Sequence, residues 1–276
     1  MKPPLVSVIV PTKNSASTLE ACLRSVREQT YKSLELIVVD NRSSDGTNAL
    51  AKMFTTNVYI HGPERSAQRN LGATRASGAY LLFIDSDMEL NSAVIAASVE
   101  LALMKPTLAG IIIPETSFGS GFWSKCKALE RSYYDGVDWI EAPRFMPIGT
   151  FRQVKGYDER IVGGEDWDLS KRLRALGAFG RVREHIRHNE GRLSLSFIMR
   201  KRFYYARGFS QYYRKGKAVP STDALRMYGL FFSRPVQALK HPVRWTGMLL
   251  MKSLEFVASA VGYVFATQSK SRPSHG

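Results

Sequence analysis

The chain runs to 276 residues, 44% of them apolar, and its 39 Lys+Arg against 24 Asp+Glu leave a net charge of +15. This is ordinary composition for a packed globular core, with length for one large domain and an appendage. The two cysteines, Cys22 and Cys126, lie far apart without metal-ligand neighbours, which excludes a disulfide framework or a thiolate metal site and predicts reduced core thiols.

Charge divides the chain. Residues 1–180 hold 21 Lys/Arg and 20 Asp/Glu, whereas 181–276 hold 18 and 4, so nearly all the excess belongs to the last third. The first part reads as an enzyme-like domain and the second as a surface for an anionic partner.

Met1-Lys2-Pro3-Pro4 leads into a strand-like run at 5–10 that is too short for a signal peptide, so a cytoplasmic setting is expected. Leu19, Cys22, Leu23 and Val26 then recur at helical spacing behind a Ser17-x-x-Glu20 capping box. Further strands are predicted at 34–39, 58–60, 80–84 and 109–113, and this βαβ rhythm implies an α/β fold with a mostly parallel sheet. Pro11-Thr12-Lys13-Asn14-Ser15 follows the first strand without a glycine, which argues against a nicotinamide enzyme and against the triphosphate loop of a sugar-phosphate nucleotidyltransferase.

The strand ends carry the chemistry. Asp40 closes the second strand, where it can accept hydrogen bonds from a base edge or a ribose hydroxyl. Arg65 and Arg69, four apart on a predicted helix, suit either phosphate groups or a solvated basic face. At Asp85-Ser86-Asp87 an apolar run stops on two carboxylates, which an extended backbone would point toward one Mg²⁺ or Mn²⁺. An EF-hand is excluded, because the positions that need Gly and Glu are Leu90 and Ala96.

Residues 119–136 place Phe122, Trp123, Tyr133 and Tyr134 among basic residues, a segment suited either to presentation at the surface or to core packing. Gly163-Gly164-Glu165-Asp166-Trp167-Asp168 then opens a helix carrying Leu169, Leu173 and Leu176, with Asp166 on their inward stripe. The carboxylates also suit the dipole at a helix start. His188 follows the last strand-like segment of this part.

In 200–217, seven basic residues alternate with six aromatics and no acid. That pattern fits single-stranded nucleic acid or a lipid headgroup layer. The apolar run at 247–266 decides for an anionic membrane surface and against nucleic acid. Because Lys252 and Glu255 interrupt it, an in-plane amphipathic helix is expected rather than a crossing one.

With these motifs in order, the chain resembles the family 2 glycosyltransferases of GT-A fold over about residues 5–190. The likeness rests on Val8-Ile9-Val10-Pro11-Thr12-Lys13-Asn14, on Val38-Val39-Asp40-Asn41-Arg42-Ser43-Ser44-Asp45-Gly46-Thr47, on Asn70-Leu71-Gly72, on Asp85-Ser86-Asp87 and on Gly163-Gly164-Glu165-Asp166. Lys13 stands where the first motif usually has tyrosine. The resemblance implies that Asp40 contacts the nucleotide and that Pro11, Thr12, Asn14, Arg69, Asp85, Ser86 and Glu165 line the donor site. It further implies Asp87, Asp85 and His188 as ligands of Mn²⁺ or Mg²⁺, and Asp166 as catalytic base.

Expected, then, is a metal-dependent inverting glycosyltransferase with a GT-A domain at 1–190 and a basic, aromatic-rich helical region at 191–276. It would take a nucleotide-sugar donor and a lipid-linked acceptor, polyprenyl phosphate or a glycolipid, on the cytoplasmic face of a membrane. A basic membrane or nucleic-acid adaptor is the non-catalytic alternative, and it leaves Asp40, Asp85, Asp87 and Asp166 without a role.

Overall fold

The computed structural model describes residues 2–214 and 220–268, with the side chains of 207–225 and 266–268 outside the description. Of the basic-aromatic run at 200–217, the side chains from 207 onward and the whole of 215–217 therefore lie outside the description. In chain order the first elements are β1 (Val6–Thr12), α1 (Ala16–Arg27), β2 (Leu34–Asp40), α2 (Thr47–Lys52), β3 (Val58–Ile60), α3 (Arg65–Arg75) and β4 (Tyr80–Phe83). There follow β5 (Met88–Leu90), α4 (Val94–Met104), β6 (Gly110–Ile112), β7 (Glu115–Ser120), α5 (Phe122–Ser132), β8 (Phe145–Pro147), α6 (Ile148–Gln153) and α7 (Glu165–Arg174). The chain closes with β9 (Phe179–Arg181), β10 (Ile186–Arg192), α8 (Leu195–Arg214), α9 (Pro220–Phe232), α10 (Pro235–Lys240) and α11 (Pro242–Gln268).

Two compact units result. The first comprises Met1–Thr116, Asp135–Glu159 and Glu165–Asn189; the second comprises Ser117–Tyr134, Arg160–Gly164 and Glu190–Gly276. The second unit thus draws on two segments that lie inside the 1–190 region of the sequence-based division.

A seven-stranded sheet in the order β3-β2-β1-β4-β8-β6-β9 forms the centre of the first unit. β1 runs parallel to β2 and β4, β2 to β3, and β6 to β9, while β8 alone is antiparallel to both its neighbours. Alternate residues of each inner strand feed two different cores. Val8, Val38 and Leu82 pack on one face, and Ile9, Ile37, Leu81 and Phe83 on the other. That double burial is why these strands read as unbroken apolar runs. In α1 the predicted stripe Leu19, Cys22, Leu23 and Val26 is buried.

The capping box is corrected. The helix begins at Ala16 with Ser15 as its N-cap, so Ser17 lies inside the first turn. Asp45 takes over that function from another loop, accepting the Ala16 N–H at 3.1 Å and the Thr47 N–H at 3.1 Å. A carboxylate shared between two helix starts satisfies groups that a local hydroxyl would have served. Gly72 lets α3 lie close on β1, because a Cβ there would collide with the Ile9 side chain.

The second unit is helical around Cys126, Leu129, Tyr133, Ile198, Phe231 and Met251. Of the two readings open for the aromatic residues of 119–136, core packing holds for most: Tyr133 is fully buried and only Phe122 is exposed, since α5 turns its apolar face into this core. α11 packs along α8 and α5, with Gly247 set against Phe122 and Cys126. Within this unit lies a buried charge cluster. Lys252 Nζ meets Glu130 at 2.6 Å and Glu255 at 3.1 Å, Lys127 meets Glu130 at 2.7 Å, and Arg202 meets Glu255 at 3.0 Å.

Candidate active site

At the carboxyl ends of β1, β2 and β4, several loops of the first unit converge. Asp40 is buried and accepts hydrogen bonds from Thr12 Oγ1 at 2.9 Å and from the Ser43 N–H at 2.9 Å. Asn14 Oδ1 accepts the Ser44 N–H at 2.9 Å, and Ser86 Oγ reaches Ser15 Oγ at 2.9 Å. Pro11 and Thr12 end β1 beside Val39 and Asp40 of β2. The residues expected to line the donor site are therefore neighbours, joined through two strand ends and the loops that follow them.

The Asp85-Ser86-Asp87 segment does not continue as an extended strand. It turns, with the Met88 N–H donating to the Asp85 carbonyl at 3.0 Å, and the two carboxylates take different partners. Asp85 faces Arg69 Nη2 at 2.7 Å and Arg144 Nη2 at 3.6 Å. Burial alone would raise its pKa, but the charges of Arg69, Arg144 and Arg65 outweigh that and hold it well below the usual carboxylate range. Asp87 instead lies 3.3 Å from His188 Nε2, because β10 pairs antiparallel with β5 and sets His188 opposite Met88. The expected Asp85, Asp87, His188 set is thus not gathered into one cluster, and among the described residues no group of three His, Cys, Asp or Glu side chains stands ready for a metal.

Asp87 Oδ1 is nonetheless buried with no hydrogen-bond partner among the described residues. A lone carboxylate oxygen beside an imidazole is an oxygen and nitrogen donor pair that a divalent cation would satisfy, with remaining positions left for substrate oxygens. On that observation Asp87 and His188 fit a Mn²⁺ or Mg²⁺ ion, whereas Asp85 is already committed to arginines.

Arg69 is the centre of the arrangement. Its guanidinium also meets Asp166 at 3.1 Å and Glu165 at 3.7 Å, and lies 5.1 Å from the centroid of the Tyr157 ring. A solvated basic face is excluded for this residue, since Arg69 is fully buried; Arg65, half exposed, meets Glu165 at 3.0 Å. Glu165 is pushed up by burial and by the neighbouring Asp166 charge, more than these arginines offset. Asp166 is partly open to solvent and also accepts the Tyr157 hydroxyl at 3.3 Å. Asp168 serves the scaffold instead, holding Arg172 at 2.7 Å, and Arg172 in turn binds the Gly156 carbonyl at 2.7 Å.

Sequence reasoning missed Tyr157, Arg144 and Glu115. Arg144 Nε donates to Glu115 at 2.6 Å, and Asn70 brackets the backbone of Tyr157 with two hydrogen bonds of 2.9 Å. Only the Asn70-Leu71-Gly72 motif hinted at this, since each of the others stands alone in its local sequence.

A mostly parallel sheet with carboxylates at its strand ends, plus one reversed strand, is an α/β architecture of GT-A type. The model of glycosyl transferase family 2 matches residues 7–157, over half the chain, and the protein belongs to that family. Glycosyltransferase AglE of Haloferax volcanii is 41% identical over 93 residues, covering 30% of this chain and 31% of the relative. The GalNAc(5)-diNAcBac-PP-undecaprenol beta-1,3-glucosyltransferase of Campylobacter jejuni is 36% identical over 109 residues, 36% of this chain and 35% of the relative. The aligned part thus spans about a third of the length of these curated relatives.

Among solved structures, the mannosyltransferase PcManGT of Pyrobaculum calidifontis, in complex with GDP-Man and Mn²⁺, superposes with a TM-score of 0.64 at 17% identity, covering 95% of this chain and 87% of that one. S. aureus TarS 1-349 in complex with UDP-GlcNAc gives 0.56 at 15% identity, covering 96% and 91%. At such identities the likeness speaks to the fold. The family match speaks against the sugar-phosphate nucleotidyltransferase.

Proposed function

We propose that this chain is a metal-dependent, inverting glycosyltransferase that moves a sugar from a nucleotide-sugar donor to a lipid-linked acceptor, a polyprenyl phosphate or a glycolipid, at the cytoplasmic face of a membrane. One observation carries the reading. A single buried guanidinium, Arg69, ties the aspartate at the end of β4 to the aspartate at the start of α7, so that a donor-side and an acceptor-side carboxylate share one rigid anchor.

In this mechanism Asp40 and the ends of β1 and β2 hold the nucleoside. Asp87 and His188 would hold the cation, which when bound neutralises charge on the donor diphosphate. Asp166 is oriented by Arg69 and Tyr157 and is open enough to meet an acceptor hydroxyl. As the acceptor oxygen bonds to the anomeric carbon, the bond from that carbon to the diphosphate breaks. Its electron pair leaves with the diphosphate, and the hydroxyl proton passes to the Asp166 carboxylate. The other carboxylates of the site have partners of their own, Glu165 with Arg65 and Arg69, Asp85 with Arg69 and Arg144, and Asp87 at the cation position with His188, so the reading is direct attack by the acceptor with inversion of the anomeric centre.

The lipid-linked acceptor draws support from the undecaprenol-linked substrate in the name of the Campylobacter relative, and the metal from the Mn²⁺ in the mannosyltransferase complex. The test is transfer from radiolabelled UDP- and GDP-sugars, with Mn²⁺, into a membrane lipid extract. Label entering the organic phase with the unaltered protein and not with Asp166→Ala is the expected result. Label confined to water-soluble products would keep the transferase and discard the lipid acceptor.

A further inference from the structure

α11 is built the wrong way round for a helix on a soluble protein. Pro242–Phe265 is long and apolar enough to cross a membrane, yet of its three charges only Arg244, near its start, is exposed, while Lys252 and Glu255 in its middle point inward and are 6% and 3% exposed. Its outer face instead presents Val243, Leu250, Val257 and Val261, each between 44% and 71% exposed. Their spacing of seven, seven and four places them on one stripe. Ahead of it, α10 exposes Val236 and Leu239, and Lys240, His241 and Arg244 stand exposed where the two helices join.

We infer that this face lies flat in the headgroup boundary of an anionic bilayer and that α11 does not cross it. Crossing is opposed by the partners of α11. Lys252 is bound to Glu130 of α5, and α8 runs along α11; these two helices expose Lys125, Arg200 and Lys201, which would be drawn into hydrocarbon with them. A second copy of the chain is a poorer occupant, because a two-fold contact would set the same cations against one another. Lipid meets both requirements, since acyl chains take the aliphatic stripe and anionic headgroups take the flanking cations. The buried cluster Lys127, Glu130, Lys252, Glu255 and Arg202 is then the device that keeps every charge of the helix's middle on the protein side.

This deepens the reading of the chain as a membrane-surface transferase, and its test uses neither donor nor acceptor, so the two can fail separately. Spin labels are placed at Leu250→Cys, Val257→Cys and Val261→Cys; Cys22 and Cys126 are buried and are not expected to react. The labelled proteins are floated with POPC vesicles with and without POPG, and depth is read from oxygen and nickel-chelate accessibility. Expected are flotation that requires POPG, one shallow depth for all three labels, and an at least about tenfold loss of bound protein in Val257→Asp/Val261→Asp. Far-UV circular dichroism of that variant should be unchanged, because both positions are exposed. Depths graded along the helix, where 250 and 261 are about 16 Å apart at 1.5 Å per residue, would overturn the inference in favour of a span. Absence of flotation, or a lipid-free dimer that the double aspartate variant dissociates, would overturn it as well.

Discussion

Arg69 offers two guanidinium nitrogens to two carboxylates, Nη2 to Asp85 at 2.7 Å and Nη1 to Asp166 at 3.1 Å, a geometry that the single ammonium of lysine does not reproduce. Arg69→Ala would leave three acidic groups without their shared cation, and urea denaturation is expected to show a loss of about 3–5 kcal/mol. Asp166→Asn keeps a side chain of the same shape but removes the proton acceptor. Transfer should fall about 10²- to 10⁴-fold while calorimetric donor affinity stays close to that of the unaltered protein; an equal loss in both would reassign Asp166 to donor binding. His188→Ala should weaken Mn²⁺ binding by at least about tenfold, as read by the free-ion signal in electron paramagnetic resonance. Unchanged Mn²⁺ affinity would remove His188 from the metal site.

β1, β2, β3, β4, β6 and α1 were legible because their signals are local, whereas the short or polar strands β5, β8, β9 and β10 carry no such signal. Residues 34–39 and 80–84 are largely apolar, and 19, 22, 23 and 26 fall on one helical face, so periodicity alone places β2, β4 and α1. What escaped was long-range pairing. Arg69 looks like an exposed basic residue until its carboxylates arrive from 16 and 97 positions away in the chain. The turn at Ser86-Asp87 was equally hidden, since an aspartate pair after a strand is compatible with extension or reversal. Asn70 belongs at this scale too, because it fastens α3 to the loop that carries Tyr157. Asn70→Ala would strand a backbone N–H and a carbonyl, costing about 1–3 kcal/mol in chemical denaturation, with transfer reduced through the loss of Tyr157 beneath Arg69.

Each unit of the molecule has its own charge balance, and acid should expose that of the second. Burial would raise the Glu130 carboxyl, but Lys127 and Lys252 outweigh it and bring it down to about 2. A carboxyl held below its unfolded value of about 4.3 contributes in full above that pH and loses its contribution as pH falls from about 4 to about 2. Stability measured by urea titration should drop across that window, on the order of 2–3 kcal/mol for this one group; in Glu130→Gln the drop should be shallower, from a lower starting point at neutral pH.

Sheet polarity has the last consequence. Within the seven-stranded sheet β8 is the one strand that runs against both its neighbours, so Arg144, just before it, arrives beside the carboxyl end of β4, where its carbonyl accepts the Phe83 N–H at 2.9 Å. A strand running the other way would bring its exit, not its entrance, to that end of the sheet. The second cation of Asp85 is therefore delivered by direction of travel, and a single residue inserted between Arg144 and Phe145 should swing the arginine away from Asp85 while leaving the β4–β8 ladder intact.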